Sequence, residues 1–294
     1  MNSRLFTGSG VALVTPFDDS GVNVAELKRQ VERHAKAGTR AIIACGTTGE
    51  PSTMSIAERE LAIRTCVEAA EGRMQIIAGT GGNNTAEAVR FTRMAREWGV
   101  DGALVVTPYY NKATQRGLIA HYTAIADATD LPIIVYNVPS RTGLNMLPET
   151  FARLAEHENI CAIKEASGNI EQVTELARLC VDDIALYSGN DDQVLPLLAL
   201  GGQGVISVSA NIVPEKVAQM VAMYMAGDVK GCRNMQFFLN PLNKVLFCEV
   251  NPIPVKTAMK LMGMDVGPLR LPLTEMEGAN LERLRSVLAE YDLI

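Results

Sequence analysis

The sequence predicts an α/β fold, a closed (β/α)8 barrel (TIM barrel) with a C-terminal helical appendage, and three observations carry that prediction. Eight short apolar runs alternate with longer amphipathic stretches through the first two thirds of the 294 residues. The runs are continuously apolar rather than alternating, as strands covered on both faces require. The doubly wound alternative usually carries a phosphate-binding glycine fingerprint after its first strand, and here that position reads Thr15-Pro16-Phe17-Asp18.

The predicted strands are Val11–Val14, Ala41–Ala44, Gln75–Ala78, Ala103–Val106, Pro132–Val135, Cys161–Ile163, Ile184–Tyr187 and Gly204–Ser207. Helical patterns lie between them near 24–37, 55–71, 85–98, 114–129, 148–156, 169–180 and 191–200, with Ser55, Thr85 and Asn169 as cap residues. Gly79-Thr80-Gly81-Gly82-Asn83-Asn84 follows the third run and lacks the last glycine of a GxGxxG match, so it reads as a tight turn. No GxxxxGK[ST] loop occurs. The barrel is expected to occupy residues 1–212. Residues 213–294, with helical patterns near 214–226, 229–247, 253–263 and 277–290, form the appendage rather than an independent domain, because no flexible linker precedes them.

Composition narrows the function. With 27 basic and 33 acidic side chains the net charge is −6, and no Lys/Arg run suggests a nucleic-acid or anionic-membrane surface. Three histidines and six cysteines are scattered without CxxC, HExxH or ligand spacing, which argues against a zinc site or a disulfide framework. The first residues lack the apolar core of a signal peptide, and no run reaches the roughly 18 apolar residues of a membrane span. The expected compartment is the cytoplasm, with reduced thiols.

In such a barrel the chemistry sits at the C-terminal ends of the strands. The residues there are Thr15, Gly46-Thr47-Thr48-Gly49-Glu50, Gly79-Thr80-Gly81, Thr107-Pro108-Tyr109-Tyr110, Tyr136-Asn137, Lys164-Glu165, Ser188-Gly189-Asn190 and Ser207. Hydroxyls abound, histidine is absent, and one lysine ends an apolar strand. A free lysine is neutral in only about one molecule in 2,500 at pH 7, and burial of Lys164 would turn it into an imine-forming nucleophile. An ion pair with Glu50 or Glu165 is the competing reading. Lys256 is a weaker candidate, because Lys260 one turn later suggests a solvated helix face.

Tyr136, one strand away from Lys164, suits a proton shuttle for an anionic substrate, or simply packs at the rim. Thr47-Thr48 offers hydroxyls and backbone N–H groups to a small carboxylate, or forms an ordinary turn. Arg141, on the loop beyond Tyr136, has the fork geometry to clamp a carboxylate, though most loop arginines do not.

Taken together, Gly46-Thr47-Thr48-Gly49-Glu50, Thr107-Pro108-Tyr109-Tyr110-Asn111, Tyr136-Asn137-Val138-Pro139-Ser140-Arg141-Thr142-Gly143 and Ile163-Lys164-Glu165-Ala166-Ser167-Gly168 resemble the dihydrodipicolinate synthase family. Ser188-Gly189-Asn190-Asp191, Gly204-Val205-Ile206-Ser207-Val208 and Asn251-Pro252-Ile253-Pro254-Val255-Lys256 extend the resemblance over nearly the whole chain. It implies a lyase of the class I aldolase type that condenses pyruvate with L-aspartate 4-semialdehyde, with no metal, nucleotide or pyridoxal cofactor. Lys164 would form the Schiff base and Tyr136 would transfer protons. Thr47 would link Tyr136 to Tyr110, the latter delivered by the neighbouring subunit of a tight dimer that pairs into a dimer of dimers. Thr48 would bind the pyruvate carboxylate, Ile206 would line the pyruvate site, Gly189 would be a further substrate-binding residue, and Arg141 would hold the semialdehyde carboxylate. Sister pyruvate aldolases, acting on N-acetylneuraminate or 2-keto-3-deoxy sugar acids, share Lys164 and Tyr136 but do not usually carry an arginine at this loop position. A catalytically silent barrel is disfavoured by the intact Lys164, Tyr136, Thr47 and Tyr110 set.

One departure concerns regulation. Asn83, Glu87 and Tyr109 match parts of the lysine site of feedback-inhibited relatives, but Ile56 and Arg59 stand where those relatives often carry histidines. Weak or absent lysine inhibition is expected.

Overall fold

The computed structural model describes residues 5–294. Eight parallel strands close into a barrel: β1 Gly8–Ala12, β2 Ala41–Ala44, β3 Gln75–Gly79, β4 Gly102–Val106, β5 Ile133–Asn137, β6 Ile160–Glu165, β7 Ala185–Ser188 and β8 Gly204–Ser207, each paired with its neighbours and β8 with β1. A small antiparallel ribbon, Phe17–Asp18 against Gly21–Val22, follows β1. The helices between strands are α1 Val24–Lys36, α2 Ile56–Ala70, α3 Thr85–Glu97, α4 Gln115–Ala126, α5 Pro148–Leu154, α6 Ile170–Cys180 and α7 Val194–Ala199. Helix α8, Pro214–Met225, follows β8 and packs on β1 and α7, so it stands where the eighth barrel helix belongs. The expected division at residue 212 falls just before it. Helices α9 Val229–Val245, α10 Ile253–Leu261 and α11 Gly278–Glu290 come after.

The two faces of each strand serve two cores. Outward residues such as Ile42, Ala44, Ile76, Ala78, Val105, Val135 and Ile163 pack under the helices. Inward residues such as Ile43, Ile77, Leu104, Ile134, Ala162, Tyr187 and Ile206 fill the barrel. Its lower end is plugged by Phe6, stacked on Tyr187 at 4.3 Å between ring centroids, while the Tyr187 hydroxyl donates to the Phe6 carbonyl at 2.6 Å. The apolar filling therefore ends below the upper rim, where polar side chains take over.

Three strand and cap positions differ from expectation in informative ways. β1 begins at Gly8 rather than Val11, because its register against β8 pairs Gly8 with Gly204, and a Cβ on Gly204 would lie 1.9 Å from the Gly8 carbonyl oxygen. β5 and β6 each run two residues past their apolar stretches, so Tyr136 and Lys164 are strand residues paired with each other. Helix α3 is capped by Asn84, whose side chain accepts from Ala86 N, and not by Thr85; the Thr85 hydroxyl instead meets His121 Nδ1 at 2.9 Å. Ser55 and Asn169 cap their helices as expected, and Glu58 completes a capping box with Ser55.

Candidate active site

Above the apolar filling, the upper end of the barrel opens into a cavity of about 440 Å³. Lys164, Tyr136, Thr47, Thr48, Arg141 and Gly189 all line it. Strand register explains the central pair: Tyr136 of β5 sits beside Lys164 of β6, so both side chains point to the same face of the sheet, and the Lys164 Nζ lies 4.3 Å from the centre of the Tyr136 ring. Thr47 and Thr48 come from the 3-10 turn Thr47–Gly49 directly after β2. Arg141 lies in the short helical turn Pro139–Thr142 after β5.

The charge state of Lys164 follows from its surroundings. It is 5% exposed and makes no ion pair among the described residues. Both acids that the sequence offered as ion-pair partners are engaged elsewhere. Glu50 accepts Lys256 Nζ at 2.7 Å and the Arg270 backbone N–H at 2.9 Å. Glu165 accepts Ser167 N–H at 2.6 Å and Asn137 Nδ2 at 3.1 Å. Burial brings the Lys164 ammonium down to about 7, against an opposing pull from Asp191 and with a smaller push in the same direction from Arg141. Burial also raises the Tyr136 phenol to about 12, so it holds its proton at neutral pH. At neutral pH an amine with a large neutral fraction thus stands beside a protonated phenol, the starting states for attack on a carbonyl and protonation of the departing oxygen.

The remaining expected residues are placed less centrally. Ile206 is fully buried within the apolar filling and is not part of the cavity wall. Tyr110 is 89% exposed, in a left-handed backbone conformation, and does not line the cavity of its own chain. Tyr109 lines an adjoining chamber of about 300 Å³ together with Ser52, Arg59, Gly79 and Gly81, and this chamber shares Thr47, Tyr136 and Arg141 with the main cavity. Gly79 and Gly81 are demanded there by crowding: a Cβ would lie 2.1 Å from the Cys45 carbonyl oxygen at the first and 2.3 Å from Val106 N at the second. Asn83 and Glu87 lie outside both chambers; Glu87 pairs with Arg90 on α3.

The chain matches the model of the dihydrodipicolinate synthetase family over residues 5–291. The chain belongs to that family. A 4-hydroxy-tetrahydrodipicolinate synthase of Thermoanaerobacter sp. (strain X514) is 58% identical over 99% of this chain and 98% of its own length. Among solved structures, a dihydrodipicolinate synthase from Thermotoga maritima superposes with a TM-score of 0.97 at 43% identity, covering 99% of this chain and all of that one. A structure described as the first monomeric dihydrodipicolinate synthase variant reaches 0.97 at 42% identity, covering 99% and 98%.

For a member of the dihydrodipicolinate synthetase family, two features of the site stand outside the sequence expectations. Lys256 is not on a solvated helix face: it is 0% exposed, bonded to Glu50 and to the Thr15 carbonyl at 3.1 Å, and Lys260 one turn later turns outward to Glu275. The first seven residues of α10, Ile253 to Met259, are all buried, so Lys256 is carried inside with its neighbours and the distant Glu50 supplies its partner. Asn251, given no individual role in the sequence, is buried in the cavity wall, where its side chain reaches Thr48 and its carbonyl accepts Arg141 Nη2 at 3.1 Å. A polar residue just before Pro252 carried no signal of either contact.

Proposed function

We propose that this lyase joins pyruvate to L-aspartate 4-semialdehyde through a Schiff base on Lys164, giving 4-hydroxy-tetrahydrodipicolinate for diaminopimelate and lysine biosynthesis. The observation that carries it is the buried, unpaired Lys164 amine beside Tyr136 in a cavity walled by hydroxyls and one guanidinium. The neutral amine attacks the keto carbon of pyruvate, and Tyr136 gives a proton to the oxygen that leaves as water. The iminium withdraws electrons, a methyl proton departs, and the enamine attacks the aldehyde carbon of the second substrate, whose oxygen takes up a proton. The amine of that substrate then adds to the iminium carbon and expels Lys164, closing the ring.

Thr47 relays protons from Tyr136 to Tyr110. In our reading Tyr110 reaches the site of the neighbouring subunit in a tight dimer, and two such dimers pair; its exposure on a single chain supports this. Thr48 and Gly189 hold the pyruvate carboxylate, Ile206 supports that end from below, and Arg141 takes the carboxylate of the semialdehyde. Six free cysteines suit a reducing cytoplasm. The lysine site is weak: Asn83, Glu87 and Tyr109 are present, but Arg59 is committed to the Pro51 carbonyl at 3.0 Å and to the Phe91 ring at 4.7 Å. Half-inhibition above millimolar lysine is expected, and half-inhibition at sub-millimolar lysine contradicts this part of the reading.

Turnover with three substrate sets tests the reaction. Pyruvate with aspartate semialdehyde should give product, whereas cleavage of N-acetylneuraminate or of a 2-keto-3-deoxy sugar acid at a comparable rate would overturn the assignment.

A further inference from the structure

We propose that Asn251 is a positioning residue that sets the direction of the Thr48 hydroxyl, aiming its proton into the cavity at the carboxylate of the keto-acid substrate. This rests on the reading that Thr48 meets that carboxylate. Asn251 and Thr48 are 203 residues apart in sequence, and Asn251 Nδ2 lies 3.0 Å from Thr48 Oγ1. An amide N–H only donates, so the Thr48 oxygen accepts and its single proton is left over. No other hydrogen bond of Thr48 Oγ1 exists among the described residues, and the side chain is buried in the cavity wall.

A buried hydroxyl proton without an acceptor is unfavourable until a ligand supplies one. An anionic oxygen suits it best, because a hydroxyl that already accepts one bond is polarised to donate the next. The reverse arrangement, with residue 251 accepting from Thr48, would consume the proton and turn lone pairs toward an anionic substrate. Asn251 Oδ1 is itself buried and has no partner among the described residues. The same residue's backbone carbonyl accepts from Arg141. One residue ahead of α10 thus holds both groups assigned to substrate carboxylates, which ties the C-terminal helices to the pyruvate end of the site.

A double-mutant cycle tests the inference. Asn251→Ala is measured alone and in Thr48→Val and Thr48→Ser backgrounds, with KM for each substrate and kcat read separately. Asn251→Ala should raise KM for pyruvate about tenfold while kcat at saturation changes by about twofold or less. The effect should persist with Ser at position 48, which keeps the hydroxyl, and vanish with Val, which removes it. Asn251→Asp, close in shape but accepting instead of donating, provides the second variant if the alanine form does not fold. Its loss of pyruvate affinity should be several-fold larger with Thr at position 48 than with Val, the Val background reporting charge repulsion alone.

An equal effect of either substitution in the Thr and Val backgrounds, or a fall in kcat with unchanged pyruvate KM, overturns the inference. Failure of the function itself is distinguishable, since the unsubstituted enzyme would then show no turnover of pyruvate with aspartate semialdehyde.

Discussion

Lys164 gains its reactivity from the strand that carries it. β6 runs past its apolar stretch and delivers the amine into an interior where Glu50 and Glu165 already have partners. With the ammonium brought down to about 7, the neutral form is present above that pH and is lost below it. Imine formation with pyruvate should therefore rise about tenfold per pH unit up to about 7 and level off beyond it, whereas a solvated lysine would keep gaining up to about 10. Rapid-quench trapping of the adduct across pH 5.5 to about 9 measures this; a rate still climbing at the upper end would contradict the burial argument. Tyr136, held protonated, should be replaceable by Phe only at a cost in kcat of about 10²- to 10⁴-fold, with a smaller change in KM, in steady-state assays.

At the scale of elements, the appendage holds the loop after β2. Lys256 of α10 bonds Glu50 and Thr15, the Arg270 backbone takes the second Glu50 oxygen, and Thr15 Oγ1 bonds the Gly49 carbonyl at 2.8 Å. Lys256→Met would strand the Glu50 carboxylate in a buried site and should destabilise the fold by about 3–5 kcal/mol. Adding Glu50→Gln should recover much of that loss, because it removes the stranded charge; urea denaturation of the single and double variants reads both values.

Strands and helices were legible because local period reports local burial. The eight apolar runs, the capping box at Ser55 and the adjacency of Tyr136 and Lys164 all follow from short stretches of chain. The Glu50 to Lys256 pair joins residues 206 apart, and α10 is buried all round from Ile253 to Met259, so the spacing of Lys256 and Lys260 alone did not show that Lys256 is inside. Ile206 shows another gap: its strand was recognised, but whether it forms cavity wall or apolar filling depends on how high Tyr187 and Phe6 fill the barrel. Tyr110 is 89% exposed on the single chain, and the sequence around it carried no signal of that exposure.

The whole molecule is a barrel filled below and open above, with two buried histidines outside the chemistry. His34 is held down to about 3 and His121 to about 4, both chiefly by burial. Their folded values lie below the unfolded value near 6.5, so the unfolded chain takes up more protons as pH falls. Stability is therefore full above about 6.5 and declines as pH drops toward 4. Thermal unfolding from pH 8 to about 4 should show this decline, and His34→Gln should flatten it while leaving catalytic pH dependence unchanged. An identical slope in the variant would remove His34 from the explanation.

The architecture converges on one buried amine, and the most direct measurement is the site of the covalent adduct. The protein is incubated with pyruvate, reduced with borohydride, digested and mapped by mass spectrometry. We expect a single modified peptide with the adduct on Lys164, and none in Lys164→Ala. An adduct on Lys256 or another lysine, or none at all, would contradict the assignment of Lys164 as the nucleophile.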